Sequence, residues 1–200
     1  TLVGRLLYIV GGCPQGWSAG TKIGGDFAYT LDVMTWSWTP AALSGRVPGG
    51  RFGHASCLAG DSIFVIAGTD GLRPLNDVLV MDTGSSTYLY PPVSGTLPVP
   101  GPNYHAVAKE EPGTGKGGRA ASWRIFLLGE DFSQMRMLEV DKQQWTIPQV
   151  DGIPPQTRRN FGVSVKGKNI FIFGGEVSVG SKTWKPRNDI YILDTYKKEA

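Results

Sequence analysis

The sequence predicts an all-β fold built from a repeated unit of four antiparallel strands. Three observations lead to this prediction: a short apolar strand ending at glycine recurs, a second apolar strand ending in aspartate follows it, and an aromatic residue comes shortly after most of these aspartates. The 200 residues include 28 glycines and 14 prolines and give little sign of a helix. We therefore expect short strands separated by turns along the chain.

The first of these strands occurs in four copies. They read LLYIVGG, SIFVIAG, RIFLLGE and NIFIFGG, at residues 6–12, 62–68, 124–130 and 169–175. The first glycine column contains Gly11, Ala67, Gly129 and Gly174, so the copies are spaced by 56, 62 and 45 residues. Continuous apolar runs of this kind predict strands whose sheet is covered on both faces.

A second apolar strand follows each copy after a loop. These strands end in aspartate, at Asp32, Asp82, Asp141 and Asp194. Aromatic residues come after three of them, at Trp36 and Trp38, at Tyr88, and at Trp145. In three copies another short strand comes first, in the segments RFGHASCLAG, NYHAVAKE and NFGVSVKG. The repeating unit therefore has four strands, labelled A to D in chain order.

This order of glycine pair, aspartate and tryptophan resembles the kelch repeat of β-propellers, the superfamily that also contains the central domain of galactose oxidase. The resemblance covers nearly the whole chain and implies four-stranded blades that pack face to face around an axis. It implies a kelch-type β-propeller segment of about four blades, at residues 1–45 (strands B to D), 46–97, 98–150 and 151–200 (strands A to C). Because kelch propellers resemble rings of about six blades of roughly 50 residues, we expect a fragment of a larger ring.

The repeated residues are expected to determine the fold. A positive φ or a close backbone approach is expected at the glycines after strand B, which are Gly11, Gly12, Gly68, Gly129, Gly174 and Gly175. The aspartates are expected to open the C-to-D turn by accepting backbone amide hydrogen bonds. Trp38 and Trp145 are expected to wedge between blades, with Tyr88 in the corresponding place. The third copy has Glu130 for the second glycine and a polar insertion at residues 109–122.

Antiparallel connectivity places the B-to-C and D-to-A loops together at one end of the blades, and several of these loops are long. They are rich in basic and aromatic residues: Trp17, Lys22, Arg73, Lys182, Trp184, Lys185 and Arg187 in the B-to-C loops, and Arg46, Arg51, Arg158 and Arg159 in the D-to-A loops. In family members that bind peptides, arginines preceding strand A are frequent contacts, and Arg51 and the Arg158/Arg159 pair resemble them.

The resemblance implies that another protein or a peptide binds at this end, and the arginines favour an acidic one. The candidate binding residues are Arg51, Arg73, Arg158, Arg159, Arg187, Trp17 and Trp184. The alternative is an ordinary solvated rim whose arginines hold neighbouring loops.

A galactose oxidase-like copper enzyme is the alternative function, with its site mostly in blades outside this segment. Such enzymes use tyrosine and histidine ligands, whereas this chain has two histidines, His54 and His105. We expect both in one repeat column of strand A, which favours packing or hydrogen bonding over metal binding. No serine–histidine–acid order or zinc spacing occurs, so we expect no catalytic residue, metal or cofactor.

Composition bears on other functional classes. A net charge of +3 without a basic run gives little support to nucleic-acid binding, and no apolar run approaches the roughly 18 to 20 residues that span a bilayer. We therefore expect no membrane contact by this segment.

Cys13 and Cys57 fit no metal or redox spacing and are expected to be small core side chains. The absence of an N-x-S/T glycosylation acceptor favours a cytoplasmic location over secretion. The identity of the partner and any accessory domain cannot be predicted from this sequence.

Overall fold

The fold of this chain is all-β, as the sequence predicts. The computed structural model describes residues 1–13, 20–21, 27–111, 122–180 and 183–195. Within these ranges the chain forms short strands and one 3₁₀ helix, Phe132–Gln134. No helix in the described ranges has the length and apolarity needed to cross a membrane.

The strands form four consecutive blades, one for each predicted copy. Blade 1 contains β1 (Leu2–Val3), β2 (Leu6–Val10), β3 (Ala28–Asp32) and β4 (Ser37–Pro40), and β5 (Ser44–Gly45) follows it. Blade 2 contains β6 (Ala55–Ala59), β7 (Ser62–Ile66), β8 (Val78–Asp82) and β9 (Thr87–Leu89), and β10 (Ser94–Gly95) follows it. Blade 3 contains β11 (His105–Glu111), β12 (Ser122–Leu128), β13 (Arg136–Glu139) and β14 (Gln144–Thr146). Blade 4 contains β15 (Arg158–Arg159), β16 (Gly162–Lys166), β17 (Asn169–Phe173), β18 (Glu176–Gly180), β19 (Thr183–Pro186) and β20 (Ile190–Asp194).

Strands A, B, C and D of each blade pair antiparallel with their neighbours in chain order. In blade 2, for example, Ile63 of β7 lies opposite Leu58 of β6 and Met81 of β8. Blade 4 pairs β16, β17 and β20 as strands A, B and C, with no strand D in the described ranges.

Blade 1 corrects the prediction that the first copy begins with strand B, because Leu2 and Val3 pair with β2 as the end of a strand A. Two residues are too few to give a strand pattern in the sequence.

Three apolar clusters fill the spaces between consecutive blades. In β7, Ile63 and Val65 pack towards blade 1, whereas Phe64 and Ile66 pack towards blade 3, and all four are at most 6% exposed. Successive side chains of a strand point to opposite faces, so a strand between two blades is apolar throughout. This placement accounts for the continuous apolar run at residues 63–66.

The glycines after strand B lie in strained or crowded backbone positions. Gly11 and Gly174 have φ values of +60° and +65°, and Ala67 keeps the same conformation at +61°. Gly12, Gly68 and Gly175 in the next column also have positive φ. Gly129 is crowded instead, because a Cβ there would lie 3.0 Å from the Tyr104 ring. The amide of Gly68 donates to the carbonyl of Gly101 in the next blade, at 2.9 Å, so this column links neighbouring blades.

The D-to-A connections add a second link between blades, at their outer edge. Strand β5 pairs in parallel with β9 of the next blade, and β10 pairs in the same way with β14. Gly95 of β10 has a φ of +84°, and a Cβ at this position would collide with the Trp145 carbonyl. Each blade is therefore joined to the next by backbone pairing as well as by apolar packing.

The C-to-D turns of blades 1 and 2 are opened by aspartate. The Asp32 carboxylate accepts hydrogen bonds from the amides of Met34 and Thr35, at 2.9 and 3.3 Å. The Asp82 carboxylate accepts from the amides of Gly84 and Ser85, each at 2.9 Å. These bonds satisfy amides that the tight turn leaves unpaired. Asp194, at the corresponding point in blade 4, pairs with Lys168 at 2.8 Å.

Blade 3 departs from the predicted aspartate column. Glu139 pairs with Arg124 across the sheet, as Asp82 pairs with Ser62, so Glu139 occupies the column that the sequence assigned to Asp141. Strand β13 ends at Glu139, and Asp141 lies two residues beyond it in the turn. The Glu139 side chain forms an ion pair with Lys142. The prediction for Asp141 was therefore wrong.

The aromatic residues of strand D lie on the face that looks towards the preceding blade. Trp145 is 1% exposed against blade 2, and Tyr88 is 7% exposed against blade 1. Trp38 occupies the same position in blade 1, opposite Leu31, but it is 58% exposed. The prediction that it wedges between blades does not hold in the described structure, because no described blade covers this face of blade 1.

Candidate binding site at the loop end

A pocket of about 330 Å³ opens at the end of the blades where the B-to-C and D-to-A loops meet. Its walls are the segments that lead into strand A of blades 2, 3 and 4, at residues 53–54, 103–105 and 159–161, together with Glu130 after strand B of blade 3. Strands A of neighbouring blades lie side by side, β6 against β11 and β11 against β16. This neighbourhood brings together segments that are about 50 residues apart in the sequence.

The three lead-in segments have the same backbone shape. Ala55, His105 and Gly162 pair with equivalent strand B residues, so Gly53, Asn103 and Asn160 share one column. Their φ values are +64°, +71° and +56°. Asparagine tolerates this left-handed conformation better than most residues with a side chain, and here it places an amide at the rim of the pocket.

The same register corrects the expectation for the two histidines. His105 pairs with Leu128, whereas the corresponding Ile66 pairs with Ala55, so His54 lies one column before His105. The His105 ring packs against Phe161, with ring centroids 4.3 Å apart, whereas the His54 ring lies beside the backbone of blade 1 at Gly11. Both rings line the pocket. The two residues therefore have different neighbours and do not share a repeated role.

Arg51 and Arg158 are internal to their blades. Arg51 binds both carboxylate oxygens of Asp77, at 2.7 and 2.9 Å, and donates to the Ala67 carbonyl. Arg158 binds Asp189 at 2.6 and 3.2 Å and donates to the Gly174 carbonyl. The two side chains are 4% and 1% exposed, so the prediction that they contact a partner is corrected. Each arginine thus links three places in its blade, the start of strand A, the end of strand B and the start of strand C, by hydrogen bonds and an ion pair.

Arg159 is the member of the arginine pair that reaches the pocket. Its Nε donates to the Glu176 carboxylate at 3.0 Å, and its guanidinium lies 3.9 Å from the centre of the Trp184 ring. Glu176 and Trp184 belong to β18 and β19, which form a hairpin paired with β15. The long B-to-C loop predicted in blade 4 is thus a β-hairpin, and Trp184 stacks on an arginine of its own chain.

Arg73 and Arg187 lie at the same end but do not line the pocket. Arg73 is 78% exposed and pairs with Asp70 at 3.4 Å in a tight turn. Arg187 is partly exposed, and its amide donates to the Gly175 carbonyl. Trp17, Lys22 and Lys182 fall outside the described residues. The structure therefore brings together Arg159 and Trp184 but not the whole predicted set.

Both histidines of the pocket have environments that favour the neutral ring. Burial, reinforced by the nearby Arg51 charge, lowers the pKa of His54 from 6.5 to about 4. Burial also lowers the pKa of His105. A positive charge in a partly desolvated site is unfavourable, which is the common physical cause. At neutral pH these rings contribute hydrogen-bonding and aromatic surfaces but no charge.

Metal and thiol chemistry find little support in the described ranges. No three His, Cys, Asp or Glu side chains are grouped there in a way that could hold a metal ion. Cys57 is buried between blades 2 and 3, as expected, and burial raises its pKa to about 12. Cys13 is exposed, which corrects the expectation that it is a core side chain.

Sequence reasoning missed Glu130, Asn103 and Asn160 as pocket residues. Glu130 was noted as a departure from the glycine pair, and that departure was the available signal. The two asparagines each precede an aromatic residue at the start of strand A, in NY and NF. Recognising this column requires the register of three blades, which the sequence alone did not provide.

The fold defines the class of the molecule as a β-propeller segment with a pocket at its loop end. The family model for the KLHDC2/KLHL20/DRC7 Kelch-repeats domain matches residues 1–200, and the chain therefore belongs to the kelch-repeat family.

Curated relatives agree with this assignment. Kelch domain-containing protein 3 of Bos taurus is 26% identical over 156 residues, which cover 74% of this chain and 40% of the relative. Rab9 effector protein with kelch motifs of Xenopus laevis is 26% identical over 181 residues, covering 86% and 44%. Serine/threonine-protein phosphatase BSL2 of Arabidopsis thaliana is 26% identical over 209 aligned positions, covering 98% and 19%. The chain thus spans less than half the length of these relatives.

Proposed function

We propose that this kelch segment is a non-catalytic scaffold that binds another protein or a peptide at the pocket of its loop end. The observation that carries the proposal is the convergence of three strand A lead-in segments and Glu130 around one open cavity. A pocket of about 330 Å³ is near the lower end of the range for ligand sites, roughly 300 to 1,000 Å³, and suits a side chain or a short peptide turn. All three segments have a positive-φ residue at the same position beside it.

The arginines support a smaller role in recognition than the sequence suggests. Arg51 and Arg158 are held by aspartates inside the blades, and the Arg159 charge is compensated by Glu176. The preference for an acidic partner rested on these side chains together with Arg73 and Arg187. The paired arginines leave little net positive charge at the pocket. The proposed partner is therefore not required to be acidic.

Site-specific photo-crosslinking tests which end of the blades binds. A photoreactive amino acid replaces Leu72 or Thr183 at the loop end, both exposed, or Asp61 or Lys142 at the opposite end, also exposed. Extracts of the cells that express the protein supply the partner. We expect a discrete protein adduct from the loop-end positions and none from the controls. Equal adducts from both ends, or adducts from the control positions alone, would contradict the proposal.

A further inference from the structure

The charges around the pocket leave one carboxylate without an internal cation. Arg159 is paired with Glu176 at 3.0 Å, and Arg158 is paired with Asp189. Glu130 is half-buried in the pocket wall, and across the described ranges it forms no ion pair with a lysine, arginine or histidine. Its carboxylate accepts a hydrogen bond from the Asn103 side-chain amide at 3.5 Å. Among the residues that line the pocket and their ion-pair partners, Glu130 is therefore the charged group without a counter-ion.

The remaining groups of the wall are compatible with a cation. His54 and His105 stay neutral at pH 7, so they do not offset the Glu130 charge. Tyr104 lines the same cavity and is partly exposed, and a cation over an aromatic face is attracted by the ring quadrupole. The side-chain carbonyl oxygens of Asn103 and Asn160 are hydrogen-bond acceptors at the rim.

An anionic ligand has less to bind in this cavity. The cation in the wall is Arg159, whose Nε is already committed to Glu176 and whose plane is stacked on Trp184. A carboxylate entering the pocket would have to compete with Glu176 and would approach Glu130. Like charges in a partly desolvated site repel strongly, so these contacts disfavour an acidic group.

We propose that the pocket receives a lysine or arginine side chain of the partner protein, with Glu130 as its ion-pair acceptor and Tyr104 as its aromatic wall. This inference rests on the proposed function, because it names the partner chemistry of the same site. An arginine would pair with the Glu130 carboxylate through two parallel hydrogen bonds, and a lysine would do so as a point charge.

The test uses capped five-residue peptides whose central residue is arginine, citrulline or glutamate, flanked by alanine and glycine. Citrulline keeps the shape of arginine without its charge. Binding is measured by NMR titration with the wild-type protein, with Glu130→Gln and with Glu110→Gln, an exposed glutamate in strand A of blade 3 that does not line the pocket. Unchanged thermal unfolding of each variant serves as the folding control.

We expect the arginine peptide to bind at least about tenfold more tightly than the citrulline peptide, a difference that corresponds to roughly 1.4 kcal/mol. Glu130→Gln should abolish this preference, and Glu110→Gln should preserve it. A preference for the glutamate peptide, an arginine preference retained in Glu130→Gln, or no binding of any peptide at millimolar concentration would overturn the inference. If one of these results accompanied crosslinks confined to the loop end, the choice of a basic ligand would fail while the proposed binding end would stand.

Discussion

Arg51 and Arg158 show how a residue can resemble a ligand contact and serve as a structural tie. Both precede strand A, where the kelch resemblance predicts partner contacts, yet each is almost fully buried. Their guanidinium groups join an aspartate before strand C to a carbonyl at the end of strand B. Blade 3 has Gly101 and Gln134 in the corresponding places, so this tie is present in alternate blades of the described chain.

Replacing Arg158 with alanine should lower the free energy of unfolding by about 3 kcal/mol, because it leaves Asp189 without its bidentate partner. The Asp189 side chain is 39% exposed and can be rehydrated, which keeps the cost near the lower end for buried pairs. Arg73→Ala, in an exposed pair, should cost about 1 kcal/mol or less. Urea denaturation measures both variants. Equal costs, or an Arg158→Ala, Asp189→Ala double mutant that loses the full sum of the single losses, would show that the tie contributes little.

His54 should make the stability of the fold depend on pH. Its pKa is lowered from 6.5 to about 4 by burial and by Arg51, so the unfolded chain binds a proton more readily than the folded chain. The contribution of the neutral ring is fully present above pH 6.5 and is lost as the pH falls towards 4. Over this window wild-type stability should fall by up to about 3 kcal/mol more than that of His54→Gln. Parallel pH dependences of the two proteins in urea denaturation would contradict the assignment.

At the scale of the strand, the interfaces between blades determine which apolar residues matter. Trp145 and Trp38 occupy the same position in strand D, but Trp145 is 1% exposed and Trp38 is 58% exposed. Trp145→Ala should therefore cost about 3 to 5 kcal/mol of unfolding free energy, as large core truncations do. Trp38→Ala should cost less than about 1 kcal/mol when measured on the described segment. An unchanged denaturation midpoint for Trp145→Ala would refute the interface placement.

The short parallel strands give a second comparison between matched positions. Gly95 and Gly152 follow equivalent D-to-A segments and have φ values of +84° and +92°, but only Gly95 contacts a neighbouring strand. Gly152→Ala should cost about 1 to 2 kcal/mol for the left-handed backbone alone. Gly95→Ala should cost at least about 1 kcal/mol more, because its Cβ meets the Trp145 carbonyl. Equal thermal destabilisation of the two variants would mean that the pairing of β10 with β14 does not stabilise the protein.

Strand type and order could be predicted because they depend on local patterns. Residues 63–66 form a continuous apolar run, and such a run is enough to predict a strand that is buried on both faces. The register was less predictable, since Glu139 and Asp141 are both acidic and lie two residues apart. Arg158 and Arg159 are adjacent and identical, so only the pairing of β15 with β18 separates the buried one from the one in the pocket.

At the scale of the whole molecule, the pocket depends on contacts between blades. Its wall combines residues from blades 2, 3 and 4. Glu130 is a candidate binding residue because it shares this wall with Asn103 and Arg159. No periodicity within one repeat predicts that arrangement. The outward faces of blades 1 and 4 expose apolar side chains such as Tyr29 and Phe173. Their equivalents in blade 2, Leu79 and Ile66, are fully buried against blade 1 and blade 3.

The central claim is that the loop end of this kelch segment binds a protein partner through the pocket. Hydrogen–deuterium exchange of the protein with and without its crosslinked partner tests it most directly. The account predicts slower exchange in the complex for amides at residues 53–54, 103–105 and 159–161, with unchanged exchange at the A-to-B and C-to-D turns around residues 60–61, 141–143 and 167–168. Protection confined to those opposite turns, with the pocket segments unaffected, would contradict it.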